Sequence, residues 1–312
     1  MADPAKPKIL LDCDPGHDDA VAILMAAHYG DLLAITTVSG NVALDLTSRN
    51  ALVTAQLLGL DTQVHAGAER PLTAQSRHAA EIHGESGMEG PELPELTREL
   101  SSRDAVRLII DTARTTDDLW LVATGPLTNI ALALRQAPDI ARSIMGVAIM
   151  GGSATFGNRT PKSEFNIWYD PEAAHIVFSS GAQLIMCGLN LTHQFMITGS
   201  ELERIRAKSN RTAAFVADML EFYANRYADR HFGRLEGPLH DPCAVLAVTH
   251  PELFELRPRH VAIERTGEHT RGMTVVDERE VVSTAPANVR VAYHIDARRA
   301  FELLLEAIAA YP

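Results

Sequence analysis

The sequence predicts an α/β fold in which helices flank a central, mostly parallel sheet. Short β-branched runs alternate with longer helical patterns through most of the chain, which is typical of βαβ units. The 312 residues are 46% hydrophobic and 22% charged, so the chain can bury a substantial core. No repeat, low-complexity tract or linker divides it. We therefore expect a single domain over residues 1–312.

The predicted elements follow one another in an alternating order. Strands are predicted at residues 8–11, 33–38, 120–123, 146–150 and 183–187, and helices at residues 20–28, 45–58, 127–135 and 171–179. Short strands at residues 260–264, 272–276 and 289–292 predict an antiparallel C-terminal extension, and residues 298–309 form a closing amphipathic helix. Two long polar loops, residues 65–98 and 151–170, are candidates for function because ligands bind beyond the carboxyl ends of parallel strands.

Composition limits the choice of partners. A net charge of −12, from 28 basic and 40 acidic residues, argues against nucleic acid and anionic membranes and favours a small-molecule substrate. Cys13, Cys187 and Cys243 form no C-x-x-C pair and suggest neither a zinc ribbon nor a disulfide scaffold. The segment MADPAKPKILLDCD lacks a secretory pattern, and no apolar run reaches the roughly 18 residues of a spanning helix. These features predict a cytoplasmic protein.

Four acids stand close together in DCDPGHDDAVAI, directly after the first predicted strand. Two carboxylates about 4 Å apart repel by roughly 1 kcal/mol in water and about 4 kcal/mol near a protein surface. Each acid alone suits a turn or a first helical turn. The set, Asp12, Asp14, Asp18 and Asp19, needs a counter-charge, and carboxylate oxygens suit Ca²⁺ or Mg²⁺. The cluster therefore predicts a site for a hard cation.

Further ligands must come from elsewhere, because one strand, turn and helix cannot complete the ligand shell and the spacing is not that of an EF-hand. The best remote candidate is Asp241 in GPLHDPCAVLAV, and the backbone carbonyl of Thr124 is another. The glycine-rich loop at residues 151–153 also follows a strand, but no Lys follows it in the Walker pattern. We therefore predict no nucleotide triphosphate site there.

Two other functions match parts of this pattern. A metal-dependent phosphohydrolase uses an N-terminal D-x-D strand end, but it also needs a Thr or Ser motif and a Lys, which Asp-Pro-Gly-His does not supply. A non-catalytic ribose- or nucleoside-binding protein would keep the metal site. The presence of both Asp14 and His240 argues against this second alternative, which the sequence leaves open.

Five segments resemble the inosine-uridine-preferring nucleoside hydrolases, in the order DCDPGHDDAVA, ATGPLTNIA, EFNIWYDPEAA, GPLHDPCAV and TRGMTVVD. The resemblance extends from about residue 8 to the C-terminal helix. It implies a Rossmann-like nucleoside hydrolase fold and hydrolysis of the N-glycosidic bond of ribonucleosides to ribose and free base. It also implies a Ca²⁺ ion at the carboxyl rim of the sheet, which holds the ribose 2′ and 3′ hydroxyls and carries the attacking water.

The resemblance assigns a role to each matching residue. The metal ligands would be Asp14, Asp19, the Thr124 carbonyl and Asp241. The ribose hydroxyls would contact Asp18, Asn166 and Asn41, while Asn158 and Glu164 would hold the 5′ hydroxyl with Met150 alongside. Asp14 would also be the general base, since calcium lowers the pKa of its water only modestly.

Histidines and tyrosines are expected around the nucleobase. His240 would protonate the leaving base, although a lone loop histidine is more often a cap or an exposed side chain. His83, in IHGESGMEG, matches a histidine-glycine loop that lines the family's base pocket, or it is an ordinary loop histidine. Tyr223 and Tyr227 have i, i+4 spacing and would close over the base, while the same spacing also suits plain packing.

The implied reaction passes through an oxocarbenium-like cation and inverts the anomeric carbon. His240 resembles the inosine-uridine group rather than the purine-specific group, which favours inosine and pyrimidine nucleosides. The resemblance further suggests a homo-oligomer, either a tetramer or a dimer. His17 stands at a variable position of the first motif and Ser153 stands where a third glycine is common; the sequence assigns no consequence to either.

Overall fold

An eight-stranded sheet organises the protein in a computed structural model that describes residues 5–229, 233–279 and 285–312. Residues 1–4 of the N-terminal segment interpreted above lie outside the described residues. The strands are β1 (Lys8–Cys13), β2 (Asp31–Thr37), β3 (Gln63–Ala66), β4 (Leu119–Ala123), β5 (Gly146–Met150), β6 (Leu184–Cys187), β7 (Met196–Thr198), β8 (Glu236–Pro238), β9 (Phe254–Arg259), β10 (Val261–Ile263), β11 (Thr274–Val276) and β12 (Val289–Ile295).

Helices fill the connections between these strands. They are α1 (His17–Tyr29), α2 (Leu44–Leu57), α3 (Ala80–His83), α4 (Ala105–Thr115), α5 (Thr128–Gln136), α6 (Ile140–Ser143), α7 (Phe165–Tyr169), α8 (Pro171–Phe178), α9 (Leu189–Thr192), α10 (Gly199–Arg206), α11 (Arg211–Tyr227), α12 (Pro242–Thr249) and α13 (Ala297–Ala309). Four of the longer helices begin after a side chain that accepts a hydrogen bond from a first-turn N–H: Asp104, Asp170, Asn210 and Asp296.

The sheet is parallel except at one edge. Its order is β3-β2-β1-β4-β5-β6-β12-β9, and β9 pairs antiparallel with β12. Two small antiparallel pairs, β10 with β11 and β7 with β8, lie outside it. The predicted fold class, a mostly parallel central sheet flanked by helices, is confirmed.

The direction of strand addition reverses at β1. The chain first adds β2 and β3 on one side of β1, and then adds β4, β5 and β6 on the other. Such a switch point opens a crevice beyond the carboxyl ends of the strands. Because β1 ends at Cys13 and β4 ends at Ala123, Asp14 and Thr124 follow directly at this crevice.

Two hydrophobic cores lie on opposite faces of the sheet, as the alternation along β1 shows. Ile9 and Leu11 pack in one core, with apolar residues of α1, α11, α12 and α13. Leu10 packs in the other core, with residues of α4, α5 and α8. Because side chains alternate along a strand, Asp12 points to the same face as Leu10.

Each strand and helix predicted from the sequence is present, with ends shifted by a few residues. Three predictions are wrong. Residues 65–98 are not a continuous loop, since β3 extends into them and α3 lies within them, and residues 151–170 contain α7, which Glu164 caps. The strand that begins at Val289 belongs to the central sheet rather than to an extension, because β12 pairs parallel with β6.

None of the helices in the described part of the chain is both long and apolar enough to span a bilayer. Cys13, Cys187 and Cys243 are free thiols inside the protein. Burial raises the pKa of all three thiols, which makes them poor nucleophiles.

Candidate active site

Three buried carboxylates converge beyond the carboxyl end of β1. Asp18 and Asp19 lie in the first turn of α1, and Asp241 directly precedes α12. One carboxylate oxygen of each residue lies within 4.8 Å of the other two. All three residues are buried. The first acidic motif and the remote GPLHDPC motif therefore meet at one place in the fold.

Burial and mutual repulsion disfavour the charged forms of these acids. Burial, with the charge of Asp19, raises the pKa of Asp18 to about 8. Burial also raises the pKa of Asp19, and burial with the charges of Asp18 and Asp19 raises the pKa of Asp241 well above its usual range. A divalent cation would restore the ionised forms. Three buried carboxylates with no nitrogen or sulfur among them fit a hard cation such as Ca²⁺ or Mg²⁺.

Asp14 lies behind this group, against two glycine backbones. The Asn41 N–H donates to its Oδ2 at 2.7 Å, and its own N–H donates to Oδ1 of Asp19 at 3.3 Å. A Cβ at Gly40 would lie 2.0 Å from Oδ2 of Asp14, and one at Gly125 would lie 2.5 Å from Oδ1. The two glycines therefore make room for the carboxylate. Burial and the charge of Asp19 raise the pKa of Asp14 well above its usual range.

Asp12 differs from the other acids of its motif. Its Oδ1 accepts hydrogen bonds from the Thr36 hydroxyl at 2.6 Å and from Nδ2 of Asn129 at 2.8 Å. Its Oδ2 is buried without a hydrogen-bond partner among the described residues, and burial raises its pKa to about 7. The strand alternation turns Asp12 toward the second core. Neither Asp12 nor Asp14 joins the three-carboxylate group, contrary to the expectation that all four acids of the motif share one cation.

Thr124 and Asn166 connect the ends of two neighbouring strands beneath the carboxylates. The Thr124 hydroxyl donates to Oδ1 of Asp19 at 2.8 Å. Nδ2 of Asn166 donates to the Thr124 carbonyl at 2.7 Å and to the Met150 carbonyl at 3.1 Å. A carbonyl oxygen has two lone pairs, so this bond leaves the Thr124 carbonyl able to accept a second partner.

Glu164 caps α7 and also faces the cavity described next. Its oxygens accept hydrogen bonds from the N–H groups of Asn166, Ile167 and Gly152 at 2.8, 3.1 and 2.8 Å. Burial nevertheless raises its pKa to about 7. The Gly152 amide is committed to Glu164, so the glycine-rich loop supports the cap of α7.

A cavity of about 400 Å³ opens over the carboxylates, a volume within the range of small-molecule sites. The predicted site residues that line it are Asp18, Asn41, His83, Thr124, Met150, Asn158, Glu164, Asn166, Tyr223, Tyr227, His240 and Asp241. Asp14 and Asp19 are not part of the lining and lie behind it. Arg159 and Glu81, which are partly exposed lining residues, form an ion pair, and the Arg159 guanidinium lies 4.7 Å from the ring centroid of Trp168.

Two hydroxyl groups hold the His240 ring. Nδ1 lies 2.7 Å from the Thr192 hydroxyl, and Nε2 lies 3.0 Å from the Tyr227 hydroxyl. Burial and the neighbouring His193 lower the pKa of His240 well below its usual value. The neutral imidazole is thus joined at both nitrogens to groups that can donate or accept a proton.

The two tyrosines of α11 differ in what their hydroxyls contact. Their rings pack with centroids 4.9 Å apart, and both are buried. The Tyr223 hydroxyl donates to the Pro238 carbonyl at 3.0 Å, whereas the Tyr227 hydroxyl meets His240. Tyr223 is therefore fixed to the backbone of β8, while Tyr227 is fixed to a site residue.

His83 is buried and lines the same cavity as Tyr223 and Tyr227, so it is not an exposed loop histidine. Its Nδ1 lies 3.1 Å from Nδ1 of His17, and Nε2 of His17 lies 2.8 Å from the Glu89 carbonyl. Burial lowers the pKa of His17 to about 4 and, with the neighbouring His17, lowers the pKa of His83 well below its usual value.

Three further residues of the site, Thr192, Arg159 and Glu81, lie outside the motifs that the sequence shows. Thr192 ends α9, directly after β6, so the rule that ligands bind at the carboxyl rim was a usable signal. Arg159 and Glu81 lie in the two long polar segments, and nothing in the sequence pairs them.

The chain is similar over almost its whole length to known nucleoside hydrolases. The family model described as inosine-uridine preferring nucleoside hydrolase matches residues 9–302. A pyrimidine-specific ribonucleoside hydrolase RihA of Shewanella sp. (strain ANA-3) is 43% identical over 307 residues, which cover 97% of this chain and 96% of that protein. The RihA of Enterobacter sp. (strain 638) is 42% identical, with 97% and 98% covered. The solved structure of a purine-preferring ribonucleoside hydrolase from Gardnerella vaginalis is 34% identical, with a TM-score of 0.91 and 97% and 98% covered.

Proposed function

Because the chain belongs to the inosine-uridine preferring nucleoside hydrolase family, it is an N-ribosyl hydrolase, and we propose that it hydrolyses pyrimidine ribonucleosides and inosine with the help of Ca²⁺. The observation that carries the proposal is the convergence of Asp18, Asp19 and Asp241 beneath a cavity whose wall contains His83 and His240. The pyrimidine-specific names of the curated relatives support the pyrimidine preference.

Oxygen atoms of the chain would hold the cation. Asp18, Asp19 and Asp241 offer one oxygen each, and the family resemblance adds Asp14 and the Thr124 carbonyl. When bound, a divalent cation supplies positive charge that pairs the carboxylates and polarises hydroxyl groups and water. The oxygen-only donor set supports Ca²⁺ or Mg²⁺ over zinc, which favours nitrogen and sulfur ligands.

Polar side chains at the rim would orient the ribose. Oδ1 of Asn158 accepts from the Phe165 N–H at 2.9 Å, which leaves its Nδ2 free to donate to the 5′ hydroxyl. Glu164 would accept from the same hydroxyl, with Met150 packed against the sugar. Asn41 and Asn166 would bind the 2′ and 3′ hydroxyls beside Asp18.

Asp14 would accept the proton of the attacking water. The Asn41 N–H together with Gly40 and Gly125 fixes the direction of its carboxylate, and a bound cation would keep that carboxylate ionised and able to accept a proton. The neighbouring carboxylates place negative charge where the ribosyl cation develops, which is electrostatic stabilisation by groups already in position.

His240 would pass a proton to the departing base, directly or through the Tyr227 hydroxyl that contacts its Nε2. Because burial keeps the resting ring neutral, Nε2 would give up its proton as Nδ1 takes one up along the Thr192 hydroxyl. Thr192 holds the opposite ring nitrogen and so orients the imidazole. Because separate residues activate the water and protonate the base, we propose inversion at the anomeric carbon. A proton NMR time course would show the inverted anomer of ribose first; initial release of the retained anomer would contradict this.

Sugar release from a panel of nucleosides tests the proposed function. Purified protein with Ca²⁺ is incubated with uridine, cytidine, inosine and adenosine, and reducing sugar is measured. We expect fast release from uridine and cytidine, slower release from inosine and the slowest release from adenosine. Faster release from adenosine would contradict the proposed preference, and binding without release from any of the four would favour the non-catalytic nucleoside-binding alternative.

The proposal also covers the assembly, the location and the domain organisation of the protein. We propose a homo-oligomer, either a tetramer or a dimer, from the family resemblance. The three free, buried thiols support a reducing compartment, the cytoplasm. The unbroken central sheet supports one domain over residues 1–312.

A further inference from the structure

A pair of buried histidines forms part of the cavity wall. His83 lines the cavity, and His17 lies behind it in the first turn of α1. The two Nδ1 atoms lie 3.1 Å apart, so one of them carries a proton and the other accepts it. Which ring donates decides what the remaining nitrogen of His83 presents to a ligand.

The hydrogen bonds of His17 decide this assignment. Nε2 of His17 lies 2.8 Å from the Glu89 carbonyl, and since a carbonyl only accepts, this nitrogen carries a proton. Burial favours the neutral form of the ring. A neutral His17 protonated at Nε2 has a bare Nδ1, so Nδ1 of His83 must donate to it. Neutral His83 is then protonated at Nδ1 and bare at Nε2.

The surroundings hold both rings in this arrangement. The His17 ring is nearly coplanar with the His83 ring, as an in-plane N–H···N bond requires, with centroids 5.3 Å apart and an interplanar angle of 20°. On its other side His17 stacks on Phe222, at 5.4 Å and 17°. A Cβ at Gly16 would lie 2.4 Å from Nδ1 of His83, so the His83 ring rests directly on a glycine backbone. Rotation of either ring would break a hydrogen bond and the stack.

We propose that His17 is a positioning residue that fixes His83 as the Nδ1-protonated tautomer, so that the cavity wall offers Nε2 as an acceptor for an N–H group of the nucleobase. This assignment rests on the proposed function. It gives a role to His17, the variable position of the first motif. It also determines that His83 accepts rather than donates a hydrogen bond in the base pocket.

The acceptor selects among leaving groups by their chemistry. Uracil carries an imide N–H, cytosine an exocyclic amino group and hypoxanthine a ring N–H, so each offers a donor. The leaving group of p-nitrophenyl riboside offers none. Loss of the acceptor should therefore affect the natural nucleosides more than the nitrophenyl substrate.

Nitrogen NMR on ¹⁵N-histidine-labelled wild-type protein tests the tautomer directly. The spectrum of His83→Asn identifies the His83 signals by their disappearance. We expect a protonated Nδ1 and an unprotonated Nε2 for His83, and the reverse for His17. A protonated Nε2 on His83 would overturn the proposal, whatever the protein hydrolyses.

Two substitutions of His17 test the consequence for catalysis. His17→Phe keeps an aromatic ring in the stack but removes the acceptor, whereas His17→Asn can return a carbonyl to the place of Nδ1. In His17→Phe we expect kcat/KM for uridine to fall about tenfold further than kcat/KM for p-nitrophenyl riboside, mainly through KM. His17→Asn should recover most of this difference.

Equal losses on both substrates in His17→Phe, without recovery in His17→Asn, would assign His17 a packing role only and overturn the proposal. Failure of the proposed function would give a different result. Wild-type protein would then release sugar from neither substrate, while nitrogen NMR would still report the tautomer of His83. Circular dichroism of both variants establishes that they fold.

Discussion

The cavity has an acidic floor, in which Asp18 and Asp241 line the cavity and Asp14 and Asp19 lie behind them, and an aromatic wall, formed by His83, His240, Tyr223 and Tyr227. Burial acts on both in opposite directions. It raises the pKa of the floor acids and lowers the pKa of the wall histidines, so in both regions burial disfavours the charged form. The floor therefore needs a cation to become charged, whereas the wall works as a network of neutral hydrogen-bonding groups.

The two regions also differ in their origin along the chain. Most of the floor comes from one strand end and the first turn of the next helix, and only Asp241 is remote. The wall is assembled from α3, from α11 and from the segment before α12, with His17 of α1 behind it. The floor can therefore be recognised in the sequence as a motif, whereas the residues of the wall come together only in the folded chain.

The largest expected effect comes from breaking the floor. Asp241→Asn removes one oxygen donor and one negative charge, and kcat/KM for uridine should fall by about 10³-fold or more. The metal-free variant should unfold at a higher temperature than metal-free wild type, because a buried repulsion is relieved, and Ca²⁺ should no longer raise that temperature.

Asp12→Asn is the matched control, since Asp12 belongs to the same motif but bonds to Thr36 and Asn129. It should keep a Ca²⁺-induced rise in Tm. If Ca²⁺ no longer raises the Tm of Asp12→Asn but still raises that of Asp241→Asn, Asp12 rather than Asp241 binds the cation, and the proposed floor is wrong.

His240→Ala tests the wall. It should lower kcat for uridine about 100-fold, the scale of a lost general acid, and lower kcat for p-nitrophenyl riboside far less, because that leaving group needs no proton. His65→Ala, a histidine that bonds to Ser102 outside the cavity, is the control. Equal losses on both substrates in His240→Ala would remove the acid role.

The pH dependence of the free energy of unfolding distinguishes the contribution of the buried acids from that of the buried histidines, and it needs no substrate. In metal-free protein the folded-state pKa is raised to about 7 for Asp12 and Glu164 and to about 8 for Asp18, so the folded chain binds more protons than the unfolded chain. Stability from these acids is lost as the pH rises through their folded pKa values. Buried histidines with lowered pKa act in the opposite direction, but only below the usual histidine value near 6.5.

Between pH 6.5 and 8.5 the acids therefore dominate. The free energy of unfolding of metal-free protein should fall by on the order of 3 kcal/mol across this range from these three acids, and further from Asp14 and Asp241, whose pKa values are also raised. Excess Ca²⁺ should reduce the decline, because ionised Asp18 then remains stabilised, but it should leave the part contributed by Asp12 and Glu164, which lie outside the floor. Thermal unfolding in chelator and in Ca²⁺ measures both curves, and a metal-free Tm that rises across the range would contradict the account of the floor.

Tyr227→Phe has the smallest expected effect on kcat. It tests which of the two tyrosine hydroxyls of the wall assists His240. It removes the hydroxyl that lies 3.0 Å from Nε2 of His240 while keeping the ring, and kcat for uridine should fall about tenfold. Tyr223→Phe is the paired comparison, because its hydroxyl bonds to the Pro238 carbonyl and reaches the acid only indirectly, through the Tyr227 hydroxyl. A larger loss of kcat in Tyr223→Phe than in Tyr227→Phe would contradict the proposed contact between Tyr227 and the acid.

The sequence predicted the parallel sheet because its βαβ periodicity is local, and it predicted the floor because strand end, turn and helix start are contiguous. It placed Asp12 with the other acids because all four look alike in sequence; only the packing of Leu10 and Asn129 on the same face reveals the difference. The contacts of Thr192 with His240 and of His17 with His83 join residues 48 and 66 positions apart, and no local pattern specifies such pairs.

We propose that the floor acids hold a divalent cation without which the ribonucleoside is not hydrolysed. The most direct measurement is the rate of sugar release from uridine by wild-type protein after exhaustive chelation, with the residual metal content determined, followed by titration with Ca²⁺. The account predicts that release stops in the metal-free protein and returns in proportion to the Ca²⁺ bound per chain. Undiminished release from protein shown to be free of metal would contradict it.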